Sequence, residues 1–150
     1  MPKKSDAVDP VLVLYYRSAS KRMFGDFQSD RLAVSVGESI GRQLSSKSST
    51  SKVTKDIVAL INQVGLGSAK EGKPQQKAKG FEPLGEIIVS DSLESQAFKK
   101  AGKPVCQLIR GLIRGAYIGV YNQQNIAVKE TKCASKGDKE CVFEAYWIPM

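Results

Sequence analysis

The sequence predicts an α+β fold, in which an antiparallel sheet packs against a layer of helices and ends in a C-terminal hairpin. Three observations carry this expectation. Stretches 53–64 and 103–121 repeat apolar residues at helical spacing, whereas NIAVKET and CVFEAYWIP near the end alternate as strands do. The order of elements lacks the regular strand–helix alternation of a parallel sheet, and no internal repeat is present. A length of 150 residues suits one domain, 1–150, with a sizeable core.

Residues 1–9 are expected to be a flexible terminus. PVLVLYYRS (10–18) is a compact apolar, β-branched and aromatic run, read as a strand or an ordered arm. Asp30 can cap a following helix whose Ala33, Val36, Ile40 and Leu44 recur at helical spacing. After the polar break SSKSSTS, Val53, Ile57, Leu60, Ile61 and Val64 trace one face of a helix that stops at Gly65.

Residues 65–85, rich in Gly, Pro and Lys, read as a basic loop, with short strand pairing near Phe81. GEIIVSDS (85–92) reads as a strand running into a turn where Asp91 or Ser92 caps the short helix LESQAFKKAG. Pro104 suits the first turn of the 103–121 helix, and Val105, Leu108, Ile109, Leu112, Ile113, Ala116 and Val120 give it a broad apolar face. The last two strands join across KGDK.

Composition narrows the function classes. The start MPKKSDAVDP lacks the apolar core of a signal peptide, and no apolar run reaches spanning length, so the expectation is a cytoplasmic protein without a transmembrane segment. In a reducing compartment three cysteines do not suggest a disulfide framework. The formal charge of +8 raises nucleic acid as a partner, but the 23 Lys and Arg are scattered and the basic loop has few aromatics to stack on bases, which argues against it. Without histidine the chain cannot build Ser–His–Asp or Cys–His arrangements, and it has no phosphate loop or dinucleotide glycine pattern. Glu86, Asp91 and Glu94 have no spacing that marks them as an acid–base pair, so no catalytic residue is assigned and no enzyme is expected.

Two features remain. Gly111, Gly115 and Gly119 fall on one stripe of the 103–121 helix. Each costs about 1 kcal/mol of helix propensity against alanine, so the three imply a compensating close approach of another backbone, within the domain or across a dimer interface. Arg110 and Arg114 interrupt the apolar run and disfavour a membrane dimer motif.

The second feature is KETKCASKGDKECVF (129–143). A hairpin brings Cys133 and Cys141 within a few ångströms, and Glu130, three residues before Cys133, can turn an oxygen toward the same point. Zinc accepts thiolates and a carboxylate in a tetrahedron. Cys106, placed in the first turn of the 103–121 helix, is the fourth candidate, since a helix N-terminus and nearby Arg110 and Arg114 favour thiolate. Spacing alone leaves open the alternative that each cysteine is a small buried hydrophobe and Glu130 a solvated strand residue.

The stretch VSDSLESQAFKKAGKPVCQLIRGLIRGAYIGVY together with NIAVKETKCASKGDKECVFEAY resembles the 4-vinyl-reductase domain, a small-molecule-binding fold related to TRAPP vesicle-tethering subunits. The resemblance covers about residues 85–146, and its most specific elements are GKPVC, ETKC and KGDKEC-F. In metal-binding members, such as the aromatic-sensing domains of bacterial transcription activators, three cysteines and a glutamate hold zinc. That pattern falls on Cys106, Glu130, Cys133 and Cys141 and implies a structural zinc in the closing hairpin. Lys129, Lys132, Lys136, Lys139, Arg110 and Arg114 lie near these ligands in sequence and can offset the site's negative charge.

The activators that sense phenols use a histidine at the ligand, and this chain has none. They also carry an ATPase and a DNA-binding module, neither of which is read here. The expected function is therefore a stand-alone zinc-containing domain that binds a hydrophobic small molecule, a hydrocarbon or aromatic, in a regulatory or sensing role. Ile57, Leu60, Leu112 and Tyr117 are expected to line its pocket, and the chain to form a homodimer. The alternatives are a TRAPP-like scaffold or assembly subunit acting through protein contacts, and an accessory in tetrapyrrole reduction.

Overall fold

A computed structural model describes residues 9–74 and 81–150, with the side chains of Pro10, Val11 and Leu14 left aside. The terminus expected to be flexible at 1–9 lies outside the described residues except for Asp9, as does 75–80 of the basic loop. The chain forms helix α1 (Pro10–Arg42), a 3-10 turn (Gln43–Ser46), α2 (Val53–Val64), β1 (Ser68–Glu71) and β2 (Pro83–Ser90). There follow α3 (Leu93–Ala97), α4 (Gln107–Tyr121), β3 (Ile126–Lys132), a second 3-10 turn (Ala134–Lys136) and β4 (Cys141–Trp147). The strands make one antiparallel sheet in the order β1-β2-β4-β3. The architecture is α+β.

Its N-terminal part departs from expectation. Residues 10–18 are helix, not strand. A short apolar run does not separate the two by composition, and the positions buried in it and just beyond it, Val13, Arg17 and Ser20, follow helical spacing. Asp30 is not a cap either, because the helical chain continues through it and breaks instead at Gly25, with φ 79° and ψ 170°. That backbone region is open essentially to glycine alone. An unbroken helix would hold residues 17 and 29 about 18 Å apart. Instead Arg17 donates to the Ser29 hydroxyl at 2.9 Å, so α1 is a hairpin of two arms closing at Gly25.

The second arm packs on α4, and here too the buried stripe differs from the predicted one. Val36 is exposed, while Ala33, Gly37 and Gly41 are buried. A Cβ on Gly37 or Gly41 would collide with the carbonyl of Leu108 or Leu112, and one on Gly111 or Gly115 with that of Val34 or Glu38. Gly119 faces Arg42 and Ser45. The glycine ladder of α4 thus meets a small-residue stripe on α1 of the same chain, backbone against backbone.

Helix α2 ends at Gly65 in the left-handed conformation, with Val53, Ile57 and Ile61 buried. Within the stretch read as a loop, Ser68–Glu71 is an edge strand paired with Ile87–Ser90. Its composition carries no strand signal; pairing with β2 and two hydrogen bonds between the Asn62 side chain and the Ala69 backbone hold it. The inward residues of the sheet, Ile87, Val89, Ile126, Val128, Phe143 and Ala145, close the core against α2 and α4. No helix among the described residues is long and apolar enough to cross a membrane.

Candidate metal centre

Helix α4 begins at Gln107, later than the periodicity predicts, so Cys106 is its N-cap and not part of the first turn. An N-cap side chain ordinarily accepts from the N–H groups of the first turn. Cys106 makes no such bond, because its sulfur points to β4, 3.6 Å from the Cys141 sulfur. Cys141, the first residue of β4, stands opposite Val89, and its sulfur is 3.9 Å from that of Cys133.

Glu130 and Cys133 are three residues apart, and a flat strand would send them to opposite faces. Between Glu130 and Lys132 the register with β4 slips by one residue, a β-bulge at Thr131, and both side chains end up inside. Beyond the bulge, Cys133 opens the 3-10 turn, and its N–H donates to the Asp138 carboxylate at 2.9 Å.

One ligand atom from each of Cys106, Glu130, Cys133 and Cys141 can be chosen so that all lie within 4.8 Å of one another, and all four residues are buried. Sulfurs bound to zinc at about 2.3 Å in a tetrahedron stand about 3.8 Å apart, close to the spacings here. Glu130 accepts from the Cys106 N–H through Oε1 at 3.1 Å, while its buried Oε2 has no hydrogen-bond partner among the described residues. A carboxylate oxygen left bare in a protein interior is costly unless something electropositive meets it.

The electrostatics of the four groups agree. Hydrogen bonds from Cys106 and Cys141 pull the Cys133 thiol far below its usual range. Its own hydrogen bonds with Cys133 and Cys141, and then burial, push Cys106 well above its usual range. For Cys141 the bond with Cys106 works downward, but the bond to Cys133 and burial outweigh it and raise the thiol to about 12. Burial, then the charge of Cys133, lifts Glu130 to about 8. These opposed directions mean that a second negative charge among the four groups is disfavoured. A divalent cation would reverse this, since it displaces thiol protons outright. The donor set therefore fits a thiophilic dication.

Of the neighbouring cations, Arg114 is committed to Glu38 at 2.8 Å and to the Ile126 carbonyl, and Arg110 to Gln107 and the Val128 carbonyl. Ile57, Leu112 and Tyr117, read as pocket residues, are fully buried in the core, and Leu60 packs at its edge. Tyr117 shares a 2.6 Å hydrogen bond with Thr54. Among the described residues, two surface clefts lie away from them, one of about 440 Å³ beside Phe27, Arg31 and Arg110 and another of about 520 Å³ beside Glu86, Thr131 and Glu140.

Sequence reasoning missed a buried polar group beside the cluster. Glu94, fully buried, accepts from Leu108 N–H at 2.9 Å and Ile109 N–H at 3.1 Å and pairs with Arg17 at 3.0 Å. Burial raises its carboxyl to about 7 against the pull of Arg17. The available signal is an arginine inside the apolar run VLVLYYRS, which requires an acidic partner if that run is buried.

Residues 86–146 match the family model of the 4-vinyl-reductase domain, the family that the sequence resembles, and the match spans all four residues of the cluster. No curated protein matches the chain in sequence. Among solved structures, the chain is similar to the phenol-responsive sensory domain of the transcription activator PoxR, with phenol: TM-score 0.78, 19% identity, 93% of this chain and 75% of that one covered. It is similar to a vinyl-4-reductase family protein from Methanocaldococcus jannaschii: TM-score 0.56, 18% identity, 78% and 68% covered. A third similar structure is a trafficking protein particle complex subunit 3 from Naegleria fowleri, covalently bound to palmitic acid: TM-score 0.58, 18% identity, 94% and 97% covered. At these identities the likeness is one of fold.

Proposed function

We propose that this chain, whose residues 86–146 carry the 4-vinyl-reductase domain match, is a non-enzymatic domain that holds one structural zinc and binds a hydrophobic small molecule in a sensing or regulatory role. The buried convergence of three thiols and one carboxylate carries the zinc reading. Cys106, Glu130, Cys133 and Cys141 would complete a tetrahedron, so the metal would have no open position for substrate and its part would be to tie the β3–β4 hairpin to the start of α4. The small-molecule reading is supported by the fold: the PoxR domain was solved with phenol and the trafficking subunit with palmitic acid. Ile57, Leu60, Leu112 and Tyr117 would face such a ligand from the core.

Elemental analysis of the purified protein should give one zinc per chain, and Cys106→Ser should abolish it. A zinc-free wild type, or an unchanged zinc content in the variant, refutes the four-ligand site. Thermal-shift screening against phenols and fatty acids tests the ligand: a saturable rise in melting temperature is expected, and its absence across both classes argues against a small-molecule role.

One observation favours the scaffold reading. Leu12, Tyr15 and Met23 are exposed at helical spacing on the first arm of α1, with Phe24 and Phe27 exposed around its bend. Exposed apolar rows of this kind commonly mark contact surfaces. A homodimer through this row is the proposed assembly, and Tyr15→Glu should convert it to a monomer by light scattering.

A further inference from the structure

We propose that the first turn of α3, through Ser92 and Glu94 together with Arg17, positions Cys106 as a metal ligand and sets how firmly the metal is held. This inference rests on the zinc reading above. Because the Cys106 sulfur is turned to the cluster, the N–H groups at the start of α4 lack the partner an N-cap normally gives. Glu94 takes that role from another element, with both carboxylate oxygens on the Leu108 N–H and one also on the Ile109 N–H. Arg17 ion-pairs with Glu94 and donates to the Val105 carbonyl at 3.2 Å, so the residues on both sides of Cys106 are fixed by one buried pair.

Ser92 acts on the sulfur itself. Its hydroxyl lies 3.1 Å from the Cys106 sulfur. A metal-bound thiolate has no proton to give, so the hydroxyl must donate. Its oxygen remains free to accept from Ser95 N–H at 3.3 Å, and the two roles are compatible. Donation to a thiolate withdraws negative charge from a crowded site, and outer partners of metal ligands typically change metal affinity by about 10–100-fold. The far side of α3 is tied to the hairpin: Ser135 Oγ donates to the Ser95 carbonyl at 3.1 Å. One short helical turn thus touches the ligand, the backbone that carries it, and the hairpin that supplies the other ligands.

The test is the rate at which zinc passes to a chromophoric chelator, together with the thiolate-to-metal absorption of the cobalt-loaded protein. Ser92→Ala should release zinc about tenfold faster and shift the cobalt band, with Ser92→Thr restoring both. Glu94→Gln should also release faster. Leu93→Ala, on the same turn, should lower thermal stability while leaving release and spectrum unchanged. Wild-type rate and spectrum in Ser92→Ala overturn the proposal, and so does equal acceleration in Leu93→Ala, which would mark α3 as merely structural. A wild type that takes up neither metal overturns the zinc reading and this inference with it.

Discussion

Along α4, the face toward α1 and the N-terminal end hold the helix by opposite means. At the α1 seam contact comes from the absence of side chains, as Gly111 and Gly115 meet Val34 and Glu38 and as Gly37 and Gly41 meet Leu108 and Leu112, backbone on backbone. At the N-terminus contact comes from chemistry, with Cys106, Glu130, Cys133 and Cys141 converging on one point and Glu94 and Arg17 behind them. The seam tolerates no added atom. The cluster tolerates no lost donor. A helix so fixed has one remaining side, toward α2 and the sheet, held by ordinary apolar packing and the Tyr117–Thr54 hydrogen bond.

The largest effect should come from breaking the cluster. Structural zinc contributes apparent free energies of about 10–16 kcal/mol in small peptides, comparable with the stability of a domain. Here a 150-residue core shares the load, so Cys133→Ser or Cys141→Ser should leave a folded chain melting more than about 10 °C lower. Chelators should then have no further effect. Glu130→Gln should fall between wild type and these variants, because three thiolates remain. An equal loss in Glu130→Gln would mean that the carboxylate, not the sulfur set, dominates.

The seam comes next. Gly115→Ala adds one methyl group facing the Glu38 carbonyl, which is backbone and cannot turn aside. Overpacking should cost about 3 kcal/mol, or roughly 6–12 °C in melting temperature, with the metal content unchanged. If zinc is lost as well, the two ends of α4 are coupled and the contrast between them fails.

Behind the cluster, pH separates Glu94 from the ligands. Its carboxyl is raised from 4.5 to about 7 in the folded chain. The native state therefore keeps a proton that the unfolded state releases. The stability tied to this proton is present below about pH 4.5 and is lost as pH rises through about 7. Metal ligation has the opposite slope, since thiolates and carboxylate must shed protons to bind. Denaturant titrations of wild type and Glu94→Gln between these pH values should show the wild type losing on the order of 2 kcal/mol relative to the variant. Parallel curves would leave Arg17 holding Glu94 ionised throughout.

How much of this is legible in the sequence follows from the same contrast. Periodicity finds α2, β2, β3 and β4, because each buries large apolar residues at a regular interval. The hairpin spacing of Cys133 and Cys141 and the place of Cys106 at the start of an apolar helix, one turn further in than the structure has it, point to one locus, and the fold brings those residues and Glu130 together. Small residues leave no such trace. Hydrophobic patterning finds Ala33 but adds the exposed Val36 and passes over Gly37 and Gly41, since it weighs bulk and the α1 seam uses its absence. The arm at 10–18 reads wrongly as a strand because β-branched and aromatic residues fit either element until the long-range partner of Arg17 is known, and that partner is 77 positions away. The strand at Ser68–Glu71 exists through its pairing and Asn62, not through its own residues.

The smallest expected effect lies on the third side of α4. The Tyr117 hydroxyl bonds Thr54 on α2 at 2.6 Å and sits over Gly85 of β2, where a Cβ would meet it. Burial raises that phenol to about 12, so it stays protonated and available as donor or acceptor at any physiological pH. Tyr117→Phe removes one hydrogen bond from a partly buried pair and leaves the ring packing in place, which should cost about 1 kcal/mol, or roughly 2–4 °C. Neither the seam nor the cluster should register it. If a phenol or a fatty acid binds among Ile57, Leu60, Leu112 and Tyr117, the same substitution should weaken that ligand's thermal shift more than it lowers the melting temperature of the free protein. An equal change with and without ligand would confine Tyr117 to the core and move the binding surface elsewhere.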